Sequence, residues 1–262
     1  MKWKLIKVPH SVGSLGKNIG TEKAPNEIAR LLNEDIWLSE DGGVSFEEIK
    51  SLVDKSEEVT IDGLTAKKIN LQGCKPFFIG GDHSISYHCF KLVKEFIDQE
   101  LGLLIFDAHP DVYQVFEHVT HQDWVKFLID AGVVKKENVI LVGIRGADKK
   151  EMDFLRENKI KFFPMSGVFS ERKNVCDFLM ETCRKWDNLY LSLDIDVVDP
   201  AFAPGTGYLE PGGLSSRELL YFLQRLKLLK SLRAVDLVEI NPDKDVNGMT
   251  CKLGARIVVE LL

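Results

Sequence analysis

The sequence predicts an α/β protein, a three-layer α/β/α domain around a mostly parallel sheet of roughly eight strands that takes up residues 1–262. Short apolar runs alternate along the chain with longer amphipathic ones, as strands and helices do in such folds. Several of the short runs, such as 101–106 (LGLLIF), are apolar throughout, which is typical of strands buried on both faces of a parallel sheet. The chain has 262 residues, of which 45% are hydrophobic, and no low-complexity linker divides it, so one domain is expected.

The individual elements follow from the same patterns. Strands are predicted at 2–8, 57–61, 76–80, 101–106, 138–143, 160–164, 188–193 and 233–238. Helices are predicted at 24–33, 84–98, 122–132, 148–158, 171–186, 214–229 and 248–261. In the first strand lysines alternate with apolar side chains, unlike the continuous apolar region of a signal peptide. Pro25 lies in the first turn of its helix, where a missing N–H costs nothing.

Composition disfavours several classes of partner. The net charge is −6, and no Lys/Arg cluster is interleaved with aromatic residues, so we expect no nucleic-acid partner. No apolar run is long enough to span a bilayer, so we expect no membrane partner either. The five cysteines are scattered and form no CxxC pair, which favours reduced thiols in a cytoplasmic protein.

Polar residues follow four of the predicted strands, at the point where each strand ends. They are 80–84 (GGDHS), 107–111 (DAHPD), 194–196 (DID) and Glu239. In open α/β sheets ligands bind beyond the carboxyl ends of the strands. The sequence therefore predicts that these four segments meet at one functional site.

The residue types at this edge indicate a metal centre. Asp107 and His109 are two residues apart and can face the same side of an extended segment, Asp111 can follow, and Asp194 and Asp196 repeat the spacing. Each piece alone is more typical of a turn or a helix cap, but buried carboxylates converging from separate strands need a cation. A set of four Asp and two His without Cys favours Mn²⁺ over Zn²⁺, and suits two ions that activate a water for hydrolysis.

Four blocks together resemble the ureohydrolases, which include arginase, agmatinase and formimidoylglutamase. The blocks are 80–84 (GGDHS), 107–111 (DAHPD), 192–207 (SLDIDVVDPAFAPGTG) and 238–242 (VEINP). The resemblance extends over nearly the whole chain, including 20–25 (GTEKAP), and implies the three-layer fold, a homotrimer or homohexamer, two Mn²⁺ per subunit and hydrolysis of a small cationic guanidino substrate to urea.

The resemblance also implies a role for each matching residue. The implied ligands of one Mn²⁺ are His83, Asp107, Asp111 and Asp194, and those of the other are Asp107, His109, Asp194 and Asp196. Asp111 would also orient the bridging hydroxide. Glu239 would grip the guanidinium, because a carboxylate matches its planar fork.

His121 is the candidate proton donor to the leaving amine. The resemblance places such a histidine at this spacing after Asp111, at the start of a helix, and imidazole titrates in the useful range. The family usually has Gly after it, whereas this chain has Gln122. His118 is the rival, with a solvent-facing loop histidine as the alternative interpretation. His10 and His88 are interpreted as structural or surface residues.

The loop after Asp111 resembles that of agmatinase more than that of arginase, which implies agmatine as substrate, cleaved to putrescine and urea. It is short, carries Tyr113 as a candidate substrate contact, and has no Asn, Ser, Arg or Lys to hold an amino-acid head group before His121. Arginine, 4-guanidinobutyrate and formimidoylglutamate remain alternatives. Tyr208 stands where the family usually has Thr beside the guanidinium, and it can shrink the pocket, make a different hydrogen bond or turn away.

Three further classes of protein are alternatives. A two-metal phosphoesterase needs histidines late in the chain, and all six lie at or before His121. A single-zinc deacetylase would not need both His83 and Asp196. A non-catalytic metal-binding homologue is disfavoured by the complete ligand set but is kept open by Gln122 and Tyr208.

Overall fold

The computed structural model describes residues 1–34, 40, 43–97, 99–113 and 116–262. Within them the chain forms one eight-stranded sheet in the order β2-β1-β3-β8-β7-β4-β5-β6. The strands are β1 (Lys2–Val8), β2 (Glu57–Glu58), β3 (Cys74–Gly80), β4 (Leu101–Phe106), β5 (Val139–Ile144), β6 (Lys161–Pro164), β7 (Asn188–Asp194) and β8 (Leu232–Val238). The predicted fold class is confirmed, and every strand pair is parallel rather than most of them.

Ten α-helices connect and cover the strands within the described residues. They are α1 (Ala24–Glu34), α2 (Phe46–Asp54), α3 (Ile61–Thr65), α4 (Ile85–Glu95), α5 (Trp124–Asp130), α6 (Lys149–Glu157), α7 (Met165–Ser170), α8 (Arg172–Lys185), α9 (Ser216–Leu226) and α10 (Met249–Leu261). None of these helices is long and apolar enough to cross a membrane. Residue 98, the last of the helix predicted over 84–98, lies outside the described residues.

Both faces of the sheet are buried, which explains the continuous apolar runs. In β4 the side chains of Leu104 and Phe106 enter one hydrophobic core, while Leu103 and Ile105 enter the other. Phe106 packs edge-on against Phe222 of α9, with the ring centroids 5.4 Å apart. Truncating a buried Phe to Ala costs about 3–5 kcal/mol, so these layers hold the sheet rigid beneath its carboxyl edge.

The predicted strand over 57–61 is wrong beyond its first two residues. Only Glu57–Glu58 pairs with β1, at the edge of the sheet, and α3 begins at Ile61. The Thr60 hydroxyl accepts a hydrogen bond from the Gly63 N–H at 3.2 Å, so Thr60 caps the helix. The cap outweighs the β propensity of the Val-Thr-Ile run.

Helices α2, α3 and α7 are absent from the predicted set. For α2 the signal was present, because Ser45 and Glu48 form a reciprocal capping box at its start. The helix predicted to begin at 122 begins at Trp124 instead, so His121 lies in the turn before α5 rather than at a helix start.

Candidate metal centre and acidic cleft

The polar segments singled out in the sequence meet at the carboxyl edge of four adjacent strands, β3, β8, β7 and β4. Because these strands are parallel neighbours, the residues that follow them share one edge. Six side chains form a compact group there, which we call the six-residue cluster: His83, Asp107, His109, Asp111, Asp194 and Asp196.

The cluster has two halves that share Asp107. In the first half, Nδ1 of His83 lies 3.1 Å from Asp107 Oδ2, 3.0 Å from Asp111 Oδ2 and 3.2 Å from Asp194 Oδ2. In the second, Nδ1 of His109 lies 2.9 Å from Asp196 Oδ2 and 3.5 Å from Asp107 Oδ1. Two ligand sets able to hold a metal ion result, namely His83, Asp107 and Asp194, and Asp107, His109 and Asp196.

Buried polar atoms of the six-residue cluster are better suited to binding a cation than to hydrogen bonding with one another. His83 Nδ1 and Asp107 Oδ2 are 3.1 Å apart and buried, yet neither has a hydrogen-bond partner. Burial and the neighbouring carboxylates Asp111 and Asp196 raise the pKa of Asp107 to about 6. Burial and the charges of Asp196 and Asp107 likewise raise the pKa of Asp194 well above its usual value. A metal ion would relieve both the desolvation and the repulsion.

Contacts between imidazoles and carboxylates outweigh the effect of burial at two positions, so that the pKa of His83 rises and that of Asp196 falls. Burial alone would lower the pKa of His83, but its contacts with three carboxylates outweigh burial and raise that pKa well above its usual value. Burial would also raise the pKa of Asp196, but the charge and hydrogen bond of His109 bring it down to about 2. These opposite shifts follow from the close contact between imidazoles and carboxylates in the cluster.

A buried chain of hydrogen bonds supports His83 from beneath. His83 Nε2 lies 2.9 Å from the Ser192 hydroxyl, which donates to Asp236 at 2.7 Å. The Tyr190 hydroxyl donates to the other Asp236 oxygen, also at 2.7 Å. Such outer partners fix the orientation of a ligating imidazole. Sequence analysis missed this chain, although the alternation of Tyr190 and Ser192 along a buried strand was a usable signal.

Asp111 and Glu239 both adopt a left-handed backbone conformation, with φ of 53° and 63°. Non-glycine residues in this region carry strain of about 1–3 kcal/mol and cluster at functional sites. Gly81 makes the turn possible beside Glu239, because an added Cβ would lie 1.7 Å from the His10 carbonyl oxygen. The Trp124 indole N–H donates to Asp111 Oδ2 at 2.7 Å and fixes that carboxylate.

Glu239 is held beside the cluster from two sides. Its Oε1 accepts the His83 backbone N–H at 2.7 Å and lies 3.4 Å from His121 Nδ1. Its Oε2 accepts a hydrogen bond from the Asn18 side chain, which in turn accepts one from Asn241 at 2.7 Å. Asn18 lies far away in sequence and was not among the candidate residues.

His121 points one nitrogen at Glu239 and leaves the other without a partner. It is buried, its backbone N–H donates to the Gly13 carbonyl at 3.1 Å, and Nε2 has no hydrogen-bond partner. Burial alone would lower its pKa, but the hydrogen bond and charge of Glu239 raise it above the usual value. The rival His118 is exposed, and His10 and His88 are half-buried outside the cleft.

A cleft of about 460 Å³ opens over the cluster, and we call it the acidic cleft. Tyr113, His121 and Tyr208 are part of its lining. Seven carboxylates also line it, and no Lys or Arg is among the described residues that do: Asp111, Asp148, Glu151, Asp194, Asp196, Glu210 and Glu239. Burial raises the pKa of Glu151 to about 7.

Tyr208 turns into the cleft rather than away from it. Its ring centroid lies 5.4 Å from that of His109 and 5.7 Å from that of His121. Its hydroxyl accepts a hydrogen bond from the Gln122 side chain at 3.2 Å. Of the alternatives left open by the sequence, the structure favours a smaller pocket with a different hydrogen bond.

Comparison with known proteins gives consistent matches. The sequence model described as Arginase family matches residues 3–262. Mitochondrial arginase 1 of Oryza sativa subsp. indica is 31% identical over 247 residues, 92% of this chain and 71% of the relative. Proclavaminate amidino hydrolase from Streptomyces clavuligerus superposes with a TM-score of 0.85 at 27% identity, covering 99% and 90% of the two chains. Formimidoylglutamase from Bacillus subtilis shares the fold, with a TM-score of 0.87 at 22% identity over 100% and 86%.

Proposed function

The chain belongs to the arginase family and is therefore a ureohydrolase-type enzyme acting on guanidino groups, and from this premise we propose that its substrate is a guanidine with a second, distant positive charge. Agmatine, cleaved to urea and putrescine, is the leading candidate. The observation that carries the proposal is the lining of the acidic cleft, which has four carboxylates besides the three assigned to the metal ions, namely Asp148, Glu151, Glu210 and Glu239, and no Lys or Arg among its described residues. Such a field attracts cations and repels a substrate carboxylate.

The position of the acidic groups supports a substrate with two charged ends. Glu239 lies beside the six-residue cluster and lines the cleft, where its carboxylate can accept a hydrogen bond from a guanidinium. Asp148 and Glu151, at the start of α6, also line the cleft. An ammonium bound there would favour the ionised form of Glu151, whose pKa burial raises to about 7. Arginine, 4-guanidinobutyrate and formimidoylglutamate each carry a carboxylate for which this wall offers no cation.

Two Mn²⁺ per subunit are part of the proposal. The oxygen-rich donor set with two imidazoles, and the unpartnered atoms His83 Nδ1 and Asp107 Oδ2, fit hard or borderline divalent ions. When bound, such a pair supplies hydroxide at neutral pH and polarises the guanidino carbon. Trp124 would hold the Asp111 carboxylate in a fixed orientation in the cluster through its 2.7 Å hydrogen bond.

His121 is proposed to protonate the leaving amine. Its Nδ1 side faces Glu239 at 3.4 Å, which favours the protonated imidazole, while Nε2 remains available to donate. Glu239 would thus bind the guanidinium and keep the imidazole of His121 protonated. Tyr113 and Tyr208 line the same space and are proposed as substrate contacts.

Assembly and location remain part of the same proposal. A homotrimer or homohexamer follows from the resemblance to ureohydrolases. The five cysteines, none of them paired in a disulfide, fit the reducing cytoplasm.

The test is urea release by metal-stripped protein reloaded with Mn²⁺. Agmatine, arginine, 4-guanidinobutyrate and guanidine are compared, with formamide and ammonia followed from formimidoylglutamate. We expect agmatine to be preferred and Asp194→Asn to abolish turnover. Faster turnover of any carboxylate-bearing compound would refute the substrate assignment.

The proposed binding site for the substrate's ammonium group, at Asp148 and Glu151, is tested by the variants Asp148→Asn and Glu151→Gln. Both variants retain the capping box of α6. We expect the KM for agmatine to rise about tenfold, consistent with loss of one charge-assisted hydrogen bond. The KM for N-butylguanidine, which lacks the amine, should stay constant. Equal effects on both substrates would show that these carboxylates do not bind the amine. Asp153→Asn, on the same helix but outside the cleft lining, is the matched control.

A further inference from the structure

A side-chain hydrogen bond joins two loops across the acidic cleft. Gln122 belongs to the segment between β4 and α5, and Tyr208 to the segment between β7 and α9. Gln122 Nε2 donates to the Tyr208 hydroxyl at 3.2 Å, although the two residues are 86 positions apart. We propose that this contact, the Gln122–Tyr208 bridge, is a specificity element that admits singly substituted guanidines and excludes guanidines carrying two substituents.

Gln122 presents its side chain from the stretch 116–123, which several hydrogen bonds hold in place. Its backbone carbonyl accepts the Tyr113 N–H at 2.9 Å, and its own N–H donates to the Thr120 hydroxyl at 3.3 Å. The Asp123 carboxylate accepts backbone N–H groups of Thr120 at 2.7 Å and Phe116 at 3.0 Å. A change confined to the Gln122 side chain therefore removes the bridge while the loop keeps its other hydrogen bonds.

The bridge fixes a large ring between two imidazoles that matter for the chemistry. The Tyr208 ring meets His109, a ligand candidate, edge-on at 65°, and lies tilted by 35° against His121, the proposed proton donor. A guanidine gripped by Glu239 must reach the space that these side chains enclose. The ring therefore narrows the cleft on the side of His109 and His121, and the proposal places a second substituent on the guanidine at this side.

Two features of Tyr208 argue for a positioned wall rather than a loose surface side chain. The ring is half-buried, and the Gln122 side chain donates a hydrogen bond of 3.2 Å to its hydroxyl. Since the hydroxyl accepts from Gln122, its own O–H is still free to donate to an acceptor in the cleft.

This inference rests on the proposed guanidino site, so the experiment measures binding separately from turnover. Mn²⁺-loaded protein is titrated calorimetrically with N-methylguanidine, N,N-dimethylguanidine and agmatine, and the same compounds are assayed for urea release. We expect wild type to bind dimethylguanidine at least about tenfold more weakly than methylguanidine, the usual discrimination for one methyl group in a closed pocket. Equal affinities in wild type would overturn the proposal.

The variants are Gln122→Met, Tyr208→Thr and the double variant, with Gln72→Met as a matched control at the exposed Gln72. Gln122→Met keeps the length of the side chain but cannot hold the ring, so we expect the discrimination to fall below about threefold. Tyr208→Thr should abolish it, and the double variant should add nothing further, because both changes act through one contact.

The possible outcomes distinguish the proposal for the Gln122–Tyr208 bridge from the proposed function. Discrimination that disappears in both single variants but not in Gln72→Met supports the bridge, even if no compound releases urea and the proposed function fails. Agmatine turnover with an unchanged methyl-to-dimethyl ratio in the variants would overturn the bridge and leave the proposed function standing. Loss of bound Mn²⁺ in Gln122→Met, with loss of binding of all three compounds alike, would also overturn it, because the residue would then support the metal centre.

Discussion

Removing the charge of Asp107 should stabilise the metal-free protein. Burial and the nearby carboxylates raise the pKa of Asp107 from 3.8 to about 6. A pKa raised by about two units corresponds to about 3 kcal/mol. The free energy of unfolding of the metal-free protein falls by this amount when Asp107 is ionised in the folded state. Asp107→Asn keeps an oxygen to accept the His109 N–H, a bond of 2.6 Å, and removes the charge.

The sign of the pH dependence follows from linkage. A carboxyl with a raised pKa binds its proton longer in the folded state than in the unfolded chain, so stability falls as pH rises from about 4 through about 6. The Asp107→Asn variant should therefore match wild type near pH 4 and exceed it at pH 7 by at most about 3 kcal/mol. For a chain of this size that is about 6–12 °C in Tm.

The assay is thermal unfolding in chelator across pH 4–7, repeated with Mn²⁺. Metal should reverse the order, because only wild type keeps the shared ligand, and saturation at 100 times Kd adds about 2.7 kcal/mol for each site. Asp187→Asn, at an exposed site, is the control. A variant no more stable than wild type at pH 7, or one equally stabilised at pH 4, would refute the reasoning.

Three further predictions concern residues around the cluster. His121→Asn should lower kcat by about 10²–10⁴ without loss of bound metal; because Glu239 raises the pKa of His121, wild-type activity should decline only as pH rises through that raised pKa, and the variant's pH–rate profile should lack this limb. Asp236→Asn should weaken Mn²⁺ binding about 10–100-fold in a chelator competition, since Asp236 supports the imidazole of His83, a proposed metal ligand, through Ser192; unchanged affinity would count against that support. Trp124→Phe removes the N–H that holds Asp111 and should reduce kcat more than KM; a change in KM alone would contradict that role.

The sequence by itself determined the sheet and the edge at which the site lies. The run over 101–106 is apolar at every position because both faces of β4 are buried, and that signal is local. Asp107, His109 and Asp111 follow that strand directly. Parallel strands bring their carboxyl ends to one edge, so the meeting of these residues with Asp194 and Asp196 could be inferred without coordinates.

Near the edge of the sheet, competing local signals for strand and helix limited the prediction of secondary structure from the sequence. At 57–61 the β-branched residues favoured a strand, but the Thr60 side chain caps a helix instead. The helices α2 and α7 are short, with nine and six residues, and the Ser45–Glu48 capping box marks the start of α2.

Only the tertiary structure decided which side chains face each other across the cleft. Asn18 reaches Glu239 over 221 positions, and Gln122 meets Tyr208 over 86. No periodicity encodes such contacts, because they depend on where loops of different strands turn and on how each side chain is directed. In the sequence, Tyr208 and Gln122 were two unrelated differences from the ureohydrolase pattern. In the folded protein the two side chains are in contact, on the loops that follow β7 and β4.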